Sequence, residues 1–138
     1  MSISAFTTLL REHLPPVDTL NAIWLTKSGV SGTWAMSFGT SFAQGAEYSI
    51  ACEKGIVTIT RGKVVVTPEG EKEGKATEFP NEGNGVHQEV KAWAQGIVEG
   101  KVDAKQSPEE ALADLEILEK MLRSGEDSGK IQTLELQL

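Results

Sequence analysis

Two histidines, His13 and His87, are the side chains here best suited to move protons near neutral pH. His13 lies in the run Arg11-Glu12-His13-Leu14-Pro15-Pro16, with Asp18 just beyond. His87 falls in the first turn of an expected helix, near Glu89. A helix N-terminus disfavours the imidazolium, which would keep His87 neutral and able to act as a base. Glu47 and Tyr48 complete the candidates for general acid–base work. Trp24 and Trp34 are candidate walls of an apolar small-molecule pocket, and Arg11 is a candidate substrate-binding residue. Each has a plainer reading. The histidines read more readily as surface or structural residues, and Trp34 and Trp93 each fit the apolar stripe of a strand or helix core.

Other chemistries find little support. Cys52 has only Lys54 nearby to lower its pKa, which argues against a nucleophile. One cysteine and two scattered histidines do not make a metal site. Gly83-Asn84-Gly85 opens a helix, but Gln88 stands at the third glycine position and Phe79-Pro80-Asn81-Glu82 reads as loop. A dinucleotide site needs a buried strand, a tight glycine turn and a helix together, so no cofactor site is expected. Thirteen basic against twenty acidic residues give a net charge of −7, which argues against nucleic acid and anionic lipid as partners. No apolar run is long enough to span a membrane, and the first ten residues lack a basic leader region. A chain with one cysteine suits a reducing compartment, so a cytoplasmic location is expected.

The elements that must hold these residues are strands first and helices later. Strands are expected over Ser2 to Leu10, Thr19 to Thr26 and Ser31 to Phe42, with the proline pair breaking the first from the second. Along the third, Gly32, Trp34, Met36, Phe38 and Phe42 alternate with Thr33, Ala35, Ser37, Gly39 and Ser41. The second set is small and uncharged, which suggests a surface packed against something else. Glu47 to Cys52 with Ile56 to Thr60, and Lys63 to Thr67 with Lys75 to Phe79, read as hairpins. Helical spacing of Val86, Val90, Trp93 and Ile97 predicts a helix over Gly85 to Val98, with Asn84 as N-cap and Gly100 as stop. Ser107-Pro108-Glu109-Glu110 is a capping box that starts a second helix. Its buried stripe is expected at Ala111, Leu115, Leu118 and Leu122, flanked by Leu112 and Met121, with Gly125 after its end. The acidic residues Glu109, Glu110, Asp114, Glu116 and Glu119 read as its solvated face. A last strand is expected over Ile131 to Leu136. The fold class is therefore α+β: a mostly antiparallel open sheet with two C-terminal helices packed on one face, in a single domain over residues 1–138.

Several segments together are similar to the C-terminal domain of the glucose–fructose oxidoreductase/inositol dehydrogenase/MocA family. They are Val30-Ser31-Gly32-Thr33 leading into a long strand, the hairpin Tyr48 to Ile59, the helix Val86 to Glu99 with Gly100, and Ser107 to Leu115 followed by Leu122-Arg123-Ser124-Gly125. Ser128-Gly129-Lys130-Ile131 also resembles the family's ending, and the loop Arg11 to Asp18 resembles fungal members. The resemblance implies an N-terminal Rossmann domain in full-length members, where a Glu-Lys-Pro motif supplies the catalytic lysine. Glu53-Lys54-Gly55 resembles that motif only superficially, since it lies in a hairpin of the other domain. No family catalytic residue transfers to a position of this chain.

What the resemblance implies is a sheet whose free face pairs with a second subunit, so a homodimer is expected. The leading expectation is a sheet domain that dimerises and shapes a small-molecule pocket, without NAD(P)-dependent hydride transfer of its own. The chain opens on Met1 at a natural strand and reads as complete. That keeps open a cofactor-free isomerase, cyclase or dehydratase built on His13, His87, Glu47 and Tyr48, and a small-molecule-binding module.

Overall fold

A computed structural model describes residues 1–41, 45–80 and 85–137. The class is α+β, with two open antiparallel four-stranded sheets and two helices near the C-terminus. The first sheet has the order β3-β2-β1-β8, from Ser31–Ser37, Thr19–Leu25, Ser2–Thr8 and Gln132–Thr133. The second is the meander β4-β5-β6-β7, from Glu47–Cys52, Gly55–Thr60, Lys63–Pro68 and Lys75–Glu78. Helix α1 spans Val86–Glu99 and α2 spans Pro108–Glu126, with a short 3-10 turn at Ala104–Gln106 between them. The chain forms two compact units, one from Met1–Phe42 with Ala92–Leu138 and the other from Ala43–Lys91.

The first unit owes its core to strand alternation meeting a helix. Ile3 and Ala5 of β1 face Trp24 and Ala22 of β2, and Leu20 continues the same face. Helix α2 packs on β1, and Ile3, Ala5, Leu20, Ala22, Met121 and Leu134 make the buried cluster, with Met1, Trp24 and Ile117 against it. The fit is tight. Ser124 is fully buried, its hydroxyl accepting from the Ala5 amide at 2.8 Å and donating to the Lys130 carbonyl at 2.8 Å. Gly125, expected to follow the helix, lies inside its last turn, where a Cβ would run into the Thr7 side chain. Across the sheet, the indole of Trp24 lies directly over Gly32, where any side chain would displace it.

The buried face of α2 differs from the expected one. Ala113, Glu116, Met121 and Ser124 are buried, while Leu112, Leu115 and Leu118 are exposed. The residues that fit closest to β1 are small or flexible, and the branched leucines are left for the far side. The N-terminus of α2 forms half of the expected capping box. The Ser107 hydroxyl accepts from the Glu110 amide at 3.2 Å, whereas the Ser107 amide donates to Ala104 at 3.4 Å. Helix α1 stops at Gly100 as expected, with the Gly100 amide donating to Ile97. Its expected N-cap Asn84, and Phe42 at the end of the third strand, lie outside the described residues.

In place of one continuous sheet, the ladder ends at Ser37. The Phe38 amide donates to the Asp18 carbonyl at 2.7 Å, and Gly39 packs on the Asp18 carboxylate. Gly39 is therefore buried and does not belong to the smooth strand face. Within the second unit, strands follow one another through the two-residue turns Glu53-Lys54 and Arg61-Gly62. No described residue of β4, β5, β6 or β7 is buried.

Candidate functional site

The candidate residues are divided between the two units. His13, Arg11, Trp24 and Trp34 belong to the first unit, and Glu47, Tyr48 and His87 to the second. His13, His87, Glu47 and Tyr48 are all exposed. Glu47 and Tyr48 are consecutive in a strand and project from opposite faces of the second sheet. Tyr48 shares its face with Ile50, Val57, Ile59, Val64 and Val66, whereas Glu47 shares the other with Thr60, Lys63 and Glu78. Trp24 and Trp34 do share a face, as diagonal neighbours across β2 and β3, since Trp24 opposes Gly32 and Ala22 opposes Trp34. Trp24 is half-buried against the core, and Trp34 is 39% exposed at the sheet edge. Trp93, which the sequence places in a core, is 61% exposed.

Arg11 ties its loop to the segment that follows β3. Its Nε–H donates to the Gly39 carbonyl at 2.9 Å and its amide donates to the Asp18 carboxylate at 2.8 Å. Asp18, only 3% exposed, also accepts from the Leu10 amide at 3.0 Å and the Thr19 hydroxyl at 2.9 Å. Burial by itself raises its pKa. The amide of Leu10, the Thr19 hydroxyl and the amide and charge of Arg11 outweigh that, so the carboxyl titrates below its ordinary value. These bonds end β1 at Thr8, two residues short of the expected Leu10, because the next free amides turn to Asp18.

Glu116 does the same at the other end of the chain. It is buried, not solvated, and accepts from the amides of Glu135 at 2.7 Å and Leu136 at 2.9 Å. Burial again raises its pKa, and those two amides, the Gln137 side chain and the Lys120 charge bring it below the ordinary value. β8 is two residues where six were expected; its register sets Thr133 opposite Ser2, so Glu135 and Leu136 have no residue of β1 across from them, and Glu116 takes their amides instead. Neither carboxylate has spare capacity aimed at a ligand; both are structural clamps. Sequence reading missed Glu116 because its position among leucines looks solvated. The signal was its spacing with Ala113 and Ser124, small residues that mark the close-packed side.

Among the described residues, no group of three or more His, Cys, Asp or Glu side chains is placed to hold a metal, and no helix is long and apolar enough to cross a membrane. A shallow depression of about 480 Å³ lies at the end of α1, lined in part by Gln95, Glu99, Lys101 and Asp103, and none of the candidate residues borders it.

The surface that stands out is the outer face of the first sheet. The register puts Ser2, Ser4, Phe6 and Thr8 beside Thr19, Asn21, Ile23 and Leu25, and these beside Ser31, Thr33, Ala35 and Ser37. None of these residues is charged. Phe6 and Ile23 are each 62% exposed, and Leu25 is exposed beside them.

An antiparallel sheet backed by a helix such as α2, with no glycine-turned strand–helix unit of the dinucleotide-binding kind among the described residues, defines the chain as a sheet domain. No protein-family model matches it. The dehydrogenase FPY6 of Fusarium mangiferae is 32% identical over 138 residues, a match that takes 98% of this chain and 39% of that protein. An oxidoreductase of Thermotoga maritima of known structure is 26% identical, with a TM-score of 0.79 over 96% of this chain and 37% of its own. An oxidoreductase of Agrobacterium radiobacter, solved with NAD+, L-tartaric acid and magnesium, shares the fold at 11% identity, with a TM-score of 0.78 over 96% of this chain and 43% of its own. The chain corresponds to a C-terminal-domain-sized portion, about 40%, of the glucose–fructose oxidoreductase/inositol dehydrogenase/MocA oxidoreductases, and it has a fungal dehydrogenase as a relative. Among the described residues there is no Rossmann domain.

Proposed function

We propose that the chain acts as an oxidoreductase-type sheet domain that pairs with a second copy through the outer face of β1, β2 and β3 and forms one wall of a small-molecule pocket. In this reading any nicotinamide is held by residues that this chain does not supply. The observation that carries it is the outer sheet face, which has no charge in a chain of net charge −7 and exposes Phe6, Ile23 and Leu25. A solvent-facing strand side ordinarily carries Lys or Glu, and an uncharged side that exposes large apolar side chains suits an interaction surface. A two-fold pairing through such a face meets no like-charge repulsion.

The helices support the second half of the reading. Val86, Val90, Trp93 and Ile97 of α1 are exposed, and so are Leu112, Leu115 and Leu118 of α2. These apolar stripes suit cover by a nucleotide-holding partner, and the Agrobacterium oxidoreductase, of which this chain covers 43%, was solved with NAD+. A reducing, cytoplasmic setting suits the single, exposed Cys52.

The test is calorimetric titration with NADH and with NADPH, with the molar mass measured on the same sample. The expected result is no nucleotide binding and the mass of an oligomer. Micromolar nucleotide binding would overturn the cofactor part of the reading. A monomer at micromolar concentration would overturn the pairing part.

A further inference from the structure

The two edges of the second sheet are unlike each other. β7 is four residues long, carries Lys75 and Glu78 at its ends, and is followed by Phe79-Pro80. A short, charged edge next to proline resists addition of another strand. β4 runs six residues, Glu47–Cys52, and all six are exposed. It contains neither lysine nor proline, and its one charge is at the start. Among the described residues its strand partner is β5.

We propose that β4 pairs antiparallel with β4 of a second copy, across a two-fold axis at Ser49. The register follows from backbone geometry and charge. Cys52 and Gly55 close a two-residue turn, so they exchange hydrogen bonds, and Ile50 and Tyr48 likewise bond to β5. The amides and carbonyls of Glu47, Ser49 and Ala51 therefore point away from β5, toward the free edge. A two-fold pairing must match these residues with each other. Centred on Ser49, it sets Glu47 opposite Ala51, Ser49 opposite Ser49, and Tyr48 opposite Ile50 of the second copy. All the outward-pointing groups of the strand are then satisfied. Centred on Ile50, the same ladder would set Glu47 opposite Glu53, a like-charge pair that opposes it. Centred on Tyr48, it would leave Ala51 and Cys52 with no strand across from them.

The occupant is a second copy because the match of charge and side chains is self-complementary. The Tyr48–Ile50 pairs fall on the apolar face that already carries Val57, Ile59, Val64 and Val66. Pairing makes those two faces continuous, while Glu47, Lys63 and Glu78 stay together on the other side. The contact uses no residue of the outer face of β1, β2 and β3, so it is independent of the association proposed above.

Disulfide trapping on the full chain tests this. In a Cys52→Ala background, Ser49→Cys places two thiols across the axis with Cα atoms about 5.5 Å apart, within bridging range. Ala51→Cys places them four residues apart, roughly 13 Å, out of range. Mild oxidation is expected to give a linked dimer with Ser49→Cys and monomer with Ala51→Cys. Equal linking of both, or none in Ser49→Cys, would overturn the proposal. Ser49→Lys, which sets two cations face to face, is expected to weaken self-association by at least about tenfold in sedimentation, and an unchanged constant would also count against β4 pairing. Ile23→Lys, which disturbs the other face, is expected to leave the Ser49→Cys cross-link in place, so failure of either surface is read separately.

Discussion

The two sheets have the same strand number and the same antiparallel pairing, yet one has a core and the other does not. In the first, α2 lies on β1 and six apolar side chains are buried together. In the second, the face of Tyr48, Ile50, Val57, Ile59, Val64 and Val66 is as apolar, but none of these residues reaches burial. Alternation alone produces an apolar face; only a covering element turns it into a core. The first sheet's stability is thus local to the chain. The second sheet is an apolar surface held in register by turns and ladder bonds.

Breaking the core side should have the larger effect. Met121→Ala removes a fully buried side chain, and a loss of about 2–5 kcal/mol is expected in denaturant unfolding. Val57→Ala, on a partly covered face, is expected to cost less than half as much; equal losses would mean that the second sheet has a core after all. The clamps come next. Asp18 and Glu116 have folded-state pKa values below their ordinary ones. Their contribution is therefore present above the ordinary carboxylate range and is lost as pH falls through that range toward the folded-state values. Melting temperature should drop across this acid window, and Asp18→Asn with Glu116→Gln should flatten the drop. Glu116→Gln alone should also speed amide exchange at Glu135 and Leu136 without a similar change at Tyr48 or Ile50. The smallest stability effect is expected for Ile23→Lys on the exposed outer face, within about 0.5 kcal/mol; its readout is oligomer mass, expected to fall.

The comparison also explains what the sequence could reveal. In the second unit the strand bounds are nearly those expected, and β4 coincides with Glu47–Cys52, because neighbouring strands and short turns set them locally. Ser107 caps α2 as its pattern predicts. The errors fall where distant residues decide the outcome. β1 gives way to a loop whose amides Asp18 captures, and the chain after β8 runs past the reach of β1 and is held by Glu116; no local pattern announces those partners. The buried side of α2 was hidden by its leucines. Leu112, Leu115 and Leu118 have helical spacing, but so do Ala113, Glu116 and Ser124, and the buried bonds of the Ser124 hydroxyl to Ala5 and Lys130 tie the smaller set inward. The histidines, singled out for their chemistry, both lie exposed, one in each unit.

The first unit is drawn from both ends of the chain, and every buried member of its apolar cluster comes from residues 3–22 or 121–134. Ser4 bonds to the Gly129 carbonyl and Leu134 to that of Met1, so the two ends are stitched together without help from the middle. A backbone nick within 43–91 would therefore leave both halves of that core intact. The chain is predisposed to fragment complementation, in which two separately made pieces, 1–42 and 92–138, find each other and rebuild the sheet.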